Sequence, residues 1–231
     1  DYLVDKRSWV ESGLFAVSHI EGDRESTPGD GKITGYGAIN GREAVIISND
    51  FTVKGASSSV VNMRRIGQMR RTATERGIPM AFLGESSGAR IPDNMGAYNM
   101  GTILAGDGTQ YRRLREQPWA SAVLGMAYGS ATWYGCLSDF NVMRKGAVMA
   151  VSSERLVSMA IGEKVDGQDL GGWRMHTETT GLVDLAVDTD EEALDAIKTF
   201  LSYLPENQNQ MPPEKPVPAG SDETARSVLD V

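Results

Sequence analysis

A chain of 231 residues with 40% hydrophobic side chains is long enough for one large α/β domain or two small ones. Asp and Glu outnumber Lys and Arg by 31 to 23, a formal charge of −8, which argues against nucleic acid as the main partner because phosphate binding needs a basic face. No apolar run approaches the ~18 residues of a membrane span, and one cysteine with two well-separated histidines (Cys136, His19, His176) offers neither a disulfide framework nor a ready metal centre.

Residues 1–31 read as irregular and polar, with a turn at Thr27-Pro28-Gly29-Asp30. The first clear unit is a hairpin, Ile33–Ile39 and Glu43–Ser48, joined by Asn40-Gly41, a dipeptide suited to the positive φ angles of a tight turn. Ser57-Ser58-Ser59 supplies cap candidates for a helix running to Arg76 and stopped by Gly77. Val60, Met63, Ile66, Met69 and Ala73 give that helix an apolar stripe. Arg64, Arg65, Arg70, Arg71 and Arg76 give it a basic face, either simply solvated or holding a phosphate through Arg64 or Arg65.

A short buried strand at Pro79–Leu83 is followed by a helical region near Asp93–Ala105 and a polar helix near Thr109–Glu116, ended by Pro118. Strands are expected at Ser121–Ala127, Ala147–Ser152 and Leu182–Val187, with Ile161–Asp166 as a loop and an acid-started helix at Asp190–Leu204. Beyond Pro205 the composition turns to Asn, Gln, Pro and Glu, as in an extended linker or tail. Strands alternating with helices after a hairpin favour a layered α/β domain.

The stretch Gly125–Phe140 concentrates the chemistry. A strand that ends at glycines and opens a helix leaves backbone N–H groups unpaired beside a partial positive charge. Without a Cβ at Gly129, a ligand oxygen can approach that backbone closely. Such a turn serves either as a close helix–strand crossing or as a cradle for an oxygen that gains charge, such as a thioester enolate. A competing motif is Gly84-Glu85-Ser86-Ser87-Gly88, which fits the serine-hydrolase pattern G-x-S-x-G after a strand. Its triad would have to recruit His176 with Asp139 or Asp169, and Pro92 disfavours a helix starting cleanly on the serine. Cys136 reads as a small buried packing residue, and His176 as a hydrogen-bonded structural histidine.

Several separated stretches agree on one family. They are Ser8-Trp9-Val10-Glu11, Gly35–Gly41 with Arg42, Asn49-Asp50-Phe51-Thr52-Val53 and Ser86–Ile91; then Gly125–Phe140, Gly162-Glu163-Lys164-Val165 and Asp169-Leu170-Gly171-Gly172 with His176; and finally Thr180–Asp184 and Leu201-Ser202-Tyr203-Leu204-Pro205. In this order they resemble the N-terminal half of the carboxyltransferase component (β-subunit type) of biotin-dependent acyl-CoA carboxylases and decarboxylases.

The resemblance implies a crotonase-type (ClpP/crotonase) spiral of ββα units. It places a crotonase-like carboxyltransferase lobe, incomplete at its N-terminus, at residues 1–205 and a Pro/Gln-rich linker or tail at 206–231. It implies an acyl-CoA substrate carrying coenzyme A, and carboxybiotin brought by a biotin carboxyl carrier protein. A C-terminal carboxyltransferase lobe or subunit would hold biotin, with catalysis between subunits of a homo- or hetero-oligomer of the hexamer type. The cytoplasm or the mitochondrial matrix would be the compartment. By the same resemblance the backbone of Gly129 and Ser130 forms an oxyanion hole, Gly88 and Ala89 offer further backbone contacts, and the biotin ureido nitrogen is the base. The chain departs from the family where Ser87 and Ser130 replace glycines and Ser153-Glu154 replaces Gly-Pro. A biotin-dependent decarboxylase subunit and a non-catalytic scaffold lobe remain the alternatives.

Overall fold

The computed structural model describes residues 2–96, 99 and 108–230. Among the described residues, eight strands form one mixed sheet: β1 (Val10–Ser12), β2 (Lys32–Ile39), β3 (Arg42–Asn49), β4 (Met80–Ser86), β5 (Trp119–Tyr128), β6 (Phe140–Arg144), β7 (Val148–Ala150) and β8 (Leu185–Val187). The order is β1-β2-β3-β4-β5-β6-β8, and β7 pairs with the end of β5. The first three strands are antiparallel, and every later pairing is parallel. The hairpin turns where expected, with Asn40 at φ 51° and Gly41 at φ 78°.

Among the described residues, four helices run eight residues or more: α1 (Val60–Arg76), α2 (Ser130–Leu137), α3 (Glu154–Ile161) and α4 (Asp190–Tyr203). Ser59 and Asn62 form a reciprocal capping box at the start of α1, and Gly77 closes it in the left-handed conformation at φ 64°. Because strand side chains alternate, each strand feeds both faces of the sheet. Val45, Ile47, Met80, Phe82 and Val123 pack with Met63, Ile66 and Met69 of α1 and Tyr134 of α2. Ala44, Ile46, Ala81, Ala120, Ala122 and Val142 meet Ala193, Ile197 and Leu201 of α4 on the opposite face. No helix among the described residues is long and apolar enough to cross a membrane.

Several expectations need correction. Two elements had no expectation: strand β6, directly after the Ser138-Asp139 turn, and α3, which ends where the expected Ile161–Asp166 loop begins. The helical region near Asp93–Ala105 falls largely outside the described residues; the described part holds a short helix, Ile91–Asn94, with Pro92 in its first turn. The basic face of α1 is not uniformly solvated, since Arg65 and Arg70 are buried. Arg70 lies 5.2 Å from the Trp119 ring centre and 5.4 Å from that of Tyr134, so its guanidinium sits against two aromatic faces. Cys136 is exposed rather than packed, because α2 turns Ala131 and Tyr134 to the core. The segment after Pro205 is tethered at its start, where Asn207 Nδ2 donates to the Gly77 carbonyl at 2.8 Å and the Gln208 N–H to that of Glu116 at 2.8 Å. Farther on it carries an exposed helix, Ser221–Ser227.

Candidate active site

Two glycine turns at the C-terminal ends of neighbouring parallel strands lie against one another. The first follows β4 and runs Ser87-Gly88-Ala89-Arg90; the second is Gly129, between β5 and α2. A Cβ placed on Gly129 would sit 3.7 Å from the Gly88 Cα. Gly129 adopts φ 64°, ψ −120°, a combination open to glycine and strained for any L side chain. Its N–H points back to β7 and the residue after it, 3.3 Å from the Ala150 oxygen and 3.2 Å from that of Val151. Gly129 therefore contributes a conformation, and its own amide is already engaged.

That conformation swings the next peptide outward. Ser130 opens α2, and among the described residues no acceptor faces its N–H. The Thr132 hydroxyl lies 2.7 Å from the carbonyl oxygens of both Ala127 and Ala150, fixing the helix start to β5 and β7. Tyr128, just before the turn, donates to Glu154 Oε2 at 2.5 Å, tying the turn to α3. Burial first, and that carboxylate second, push the Tyr128 hydroxyl above the usual phenol range.

On the facing turn, Gly88 sits at φ 104° and Ala89 is exposed. Ser58 pairs with Ala89 as a parallel bridge: the Ser58 N–H donates to the Gly88 oxygen and the Arg90 N–H to the Ser58 oxygen, both at 2.8 Å. In that pattern the N–H of Ala89 faces away from Ser58, and no acceptor for it is found among the described residues. Two amides without protein acceptors thus stand on facing turns, one at the positive end of a helix.

The structure does not bring Arg65 to these turns. Its guanidinium hydrogen-bonds the Gly29 oxygen, the Ser12 oxygen at 2.9 Å and Thr34 Oγ1 at 3.0 Å. Arg64 is exposed on α1. Ser57, Ser58 and Ser59, cap candidates by sequence, do more than cap a helix. Each hydroxyl has a separate duty: Ser57 Oγ accepts from Arg90 Nε at 3.1 Å, Ser58 Oγ meets Ser130 Oγ at 2.6 Å, and Ser59 caps α1 and bonds Asp30. A run of three hydroxyls beside a helix start was the only signal available.

Among the described residues Ser86 has no catalytic partner. It is buried, its hydroxyl lies 3.2 Å from the Ala56 oxygen, and it accepts from the Gly88 N–H at 3.1 Å. His176 is buried elsewhere, Nε2 donating to the Met149 oxygen at 2.7 Å and Nδ1 lying 3.1 Å from Thr180 Oγ1. Ser86→Ala should cost about 1 kcal/mol of stability, read as a lowered midpoint in urea, for the lost hydrogen bond to Gly88. It should leave a fluorophosphonate probe as unreactive as before; labelling of the wild type at Ser86 would restore the hydrolase reading. Cavities of 470 Å³ (around Trp9, Ile46 and Leu194) and 330 Å³ (around Arg115, Phe200 and Gln208) open away from the turns. The apolar side chains framing the turns, Met126, Trp133, Val151, Leu156 and Met159, are exposed.

Comparison with known proteins adds to this geometry. The carboxyl transferase domain family is matched over residues 1–230. The chain is 36% identical over 221 residues to the carboxyltransferase subunit of propionyl-CoA carboxylase from Haloferax mediterranei, covering 92% of this chain and 42% of the relative. It is 30% identical over 239 residues to methylmalonyl-CoA decarboxylase subunit alpha from Veillonella parvula, covering 98% and 46%. Transcarboxylase 12S, solved as a hexamer with methylmalonyl-coenzyme A bound, superposes with a TM-score of 0.81 at 28% identity, over 92% of this chain and 42% of that one. The chain therefore spans less than half the length of the curated relatives it matches, and the fold is of their crotonase type.

Proposed function

Since this chain belongs to the carboxyl transferase domain family, we propose that it is the acyl-CoA lobe of a biotin-dependent carboxyltransferase. The single observation carrying the proposal is the pair of unpartnered amides, Ala89 and Ser130, on facing glycine turns. A thioester oxygen placed between them would be held weakly as a carbonyl and strongly as an enolate, because fixed dipoles favour the charged form. Each such donor contributes on the order of 10²–10³ in rate. Carboxybiotin, when bound, would supply the carboxyl group, and its ureido nitrogen would take the α-proton. This chain's part is to hold the thioester, orient its α-carbon and stabilise the developing charge. Gly129 sets the direction of the Ser130 amide, and Gly88 allows close approach to Ala89. Arg64, exposed on α1, is offered to the phosphates of coenzyme A.

The exposed apolar side chains around the turns support a second lobe or subunit closing the site, within an oligomer. Residues up to about Gln208 would then form the lobe, with the remainder leading away as linker or tail. The cytoplasm or mitochondrial matrix suits such an assembly. The test is reconstitution with the second lobe and the biotin carrier. Labelled carboxyl should pass from carboxybiotin to a short acyl-CoA, and avidin should block it. Failure with every short acyl-CoA would end the reading. The similarity to a methylmalonyl-CoA decarboxylase favours the reverse direction as a second reading; avidin-sensitive release of CO₂ from methylmalonyl-CoA would show it.

A further inference from the structure

We propose that Ser58 and Arg90 are positioning residues that lock the amides of Ala89 and Ser130 into one site; this rests on the carboxyl-transfer reading. Ser58 touches both turns at once. Its backbone holds the first through the Gly88 oxygen and the Arg90 N–H. Its hydroxyl holds the second, 2.6 Å from Ser130 Oγ, with only 2% and 8% of the two residues exposed. A hydroxyl pair excluded from water has no competing partner, so the contact fixes the first residue of α2 relative to the β4 turn.

Ser58 is itself held from behind. Asn94 Nδ2 donates to its carbonyl oxygen at 2.8 Å. Arg90 wraps the preceding residue, with Nε 3.1 Å from Ser57 Oγ and an Nη 3.2 Å from the Ser57 oxygen. The other Nη lies 2.5 Å from Asp30 Oδ1, a buried pair whose carboxylate also accepts from the Asn62 N–H at 3.1 Å. Asp30 stands at φ 47°, a strained position that an aspartate tolerates better than most side chains. A continuous set of bonds thus runs from the start of α1, through Asp30, Arg90, Ser57 and Ser58, to the start of α2. Small displacements matter here, since a misplacement of about 1 Å can cost roughly 100-fold in rate.

The test is a double-mutant cycle of Ser58→Ala and Ser130→Ala in the full chain assembled with its second lobe; both changes keep every backbone amide. Two probes are compared by calorimetry: propionyl-CoA, and a nitro analogue whose nitronate imitates the enolate. Each single variant should lose about tenfold in nitronate affinity and keep propionyl-CoA affinity within twofold, and the double variant should be no worse than either single. Arg90→Lys should behave like Ser58→Ala. Equal losses for both probes, or none for the nitronate, would overturn the positioning role while wild-type preference for the nitronate leaves the enolate reading standing. A wild type that binds neither thioester nor nitronate would end both.

Discussion

Gly129→Ala should lower carboxyl transfer by at least about 100-fold while the chain still folds. At φ 64°, ψ −120° any L residue carries about 1–3 kcal/mol of strain. The space itself is not the obstacle, because the new Cβ would make an ordinary 3.7 Å contact with the Gly88 Cα. Relief comes by rotating the peptide between residues 129 and 130, and that peptide carries the Ser130 N–H. The helix would survive, held by Thr132 to Ala127 and Ala150, but the donor would no longer face the thioester oxygen. The measurement is kcat and KM for the reconstituted pair beside a urea unfolding curve. A variant that folds and keeps kcat within threefold would show that the Ser130 amide has no part in the chemistry.

Lys32→Met should stabilise the protein near neutral pH. Lys32 is 2% exposed and donates from Nζ to the Ala56 oxygen at 2.6 Å. Burial, followed by the nearby Arg90, draws its pKa down from 10.5 to about 7, with Asp30 opposing and Arg65 adding. Between pH 7 and 10.5 the unfolded chain therefore holds a proton that the folded chain has released. This contribution makes the native state less stable as pH falls from about 10.5 to 7, and it levels off below 7. The full depression corresponds to at most about 5 kcal/mol at neutral pH. After loss of the hydrogen bond to Ala56, a net gain of about 2 kcal/mol is expected for methionine, which fills a similar volume. Urea unfolding of both proteins at pH 7 and pH 9.5 decides it: the advantage of the variant should shrink at the higher pH. A variant less stable at both values, by the same amount, would contradict the assignment.

What was legible in the sequence was local. The Asn40-Gly41 turn, the Ser59 cap and the Gly77 stop each depend on residues within a few positions, and all three appear as read. What was hidden depends on contacts across the chain. The Arg65 partners lie at Ser12, Gly29 and Thr34, so nothing near α1 could distinguish a buried guanidinium from a solvated one. The Gly129 amide was expected to face a ligand; its direction is decided by where the chain passes after β7, some twenty residues later. Ser58 and Ser130 are 72 residues apart, and neither position points to the other. Strand β6 is a five-residue segment whose parallel partners, β5 and β8, are remote in sequence.

The three consecutive serines tolerate no change in the length of their segment. In an extended stretch neighbouring side chains leave the backbone in different directions, which is how Ser57, Ser58 and Ser59 reach Arg90, Ser130 and Asp30 respectively. Removing or inserting a single residue there would hand each hydroxyl its neighbour's place, and all three bonds would be lost together. Loop grafting between homologous scaffolds would therefore have to transplant this tripeptide with its three correspondents as one block, because its length is constrained as tightly as its chemistry.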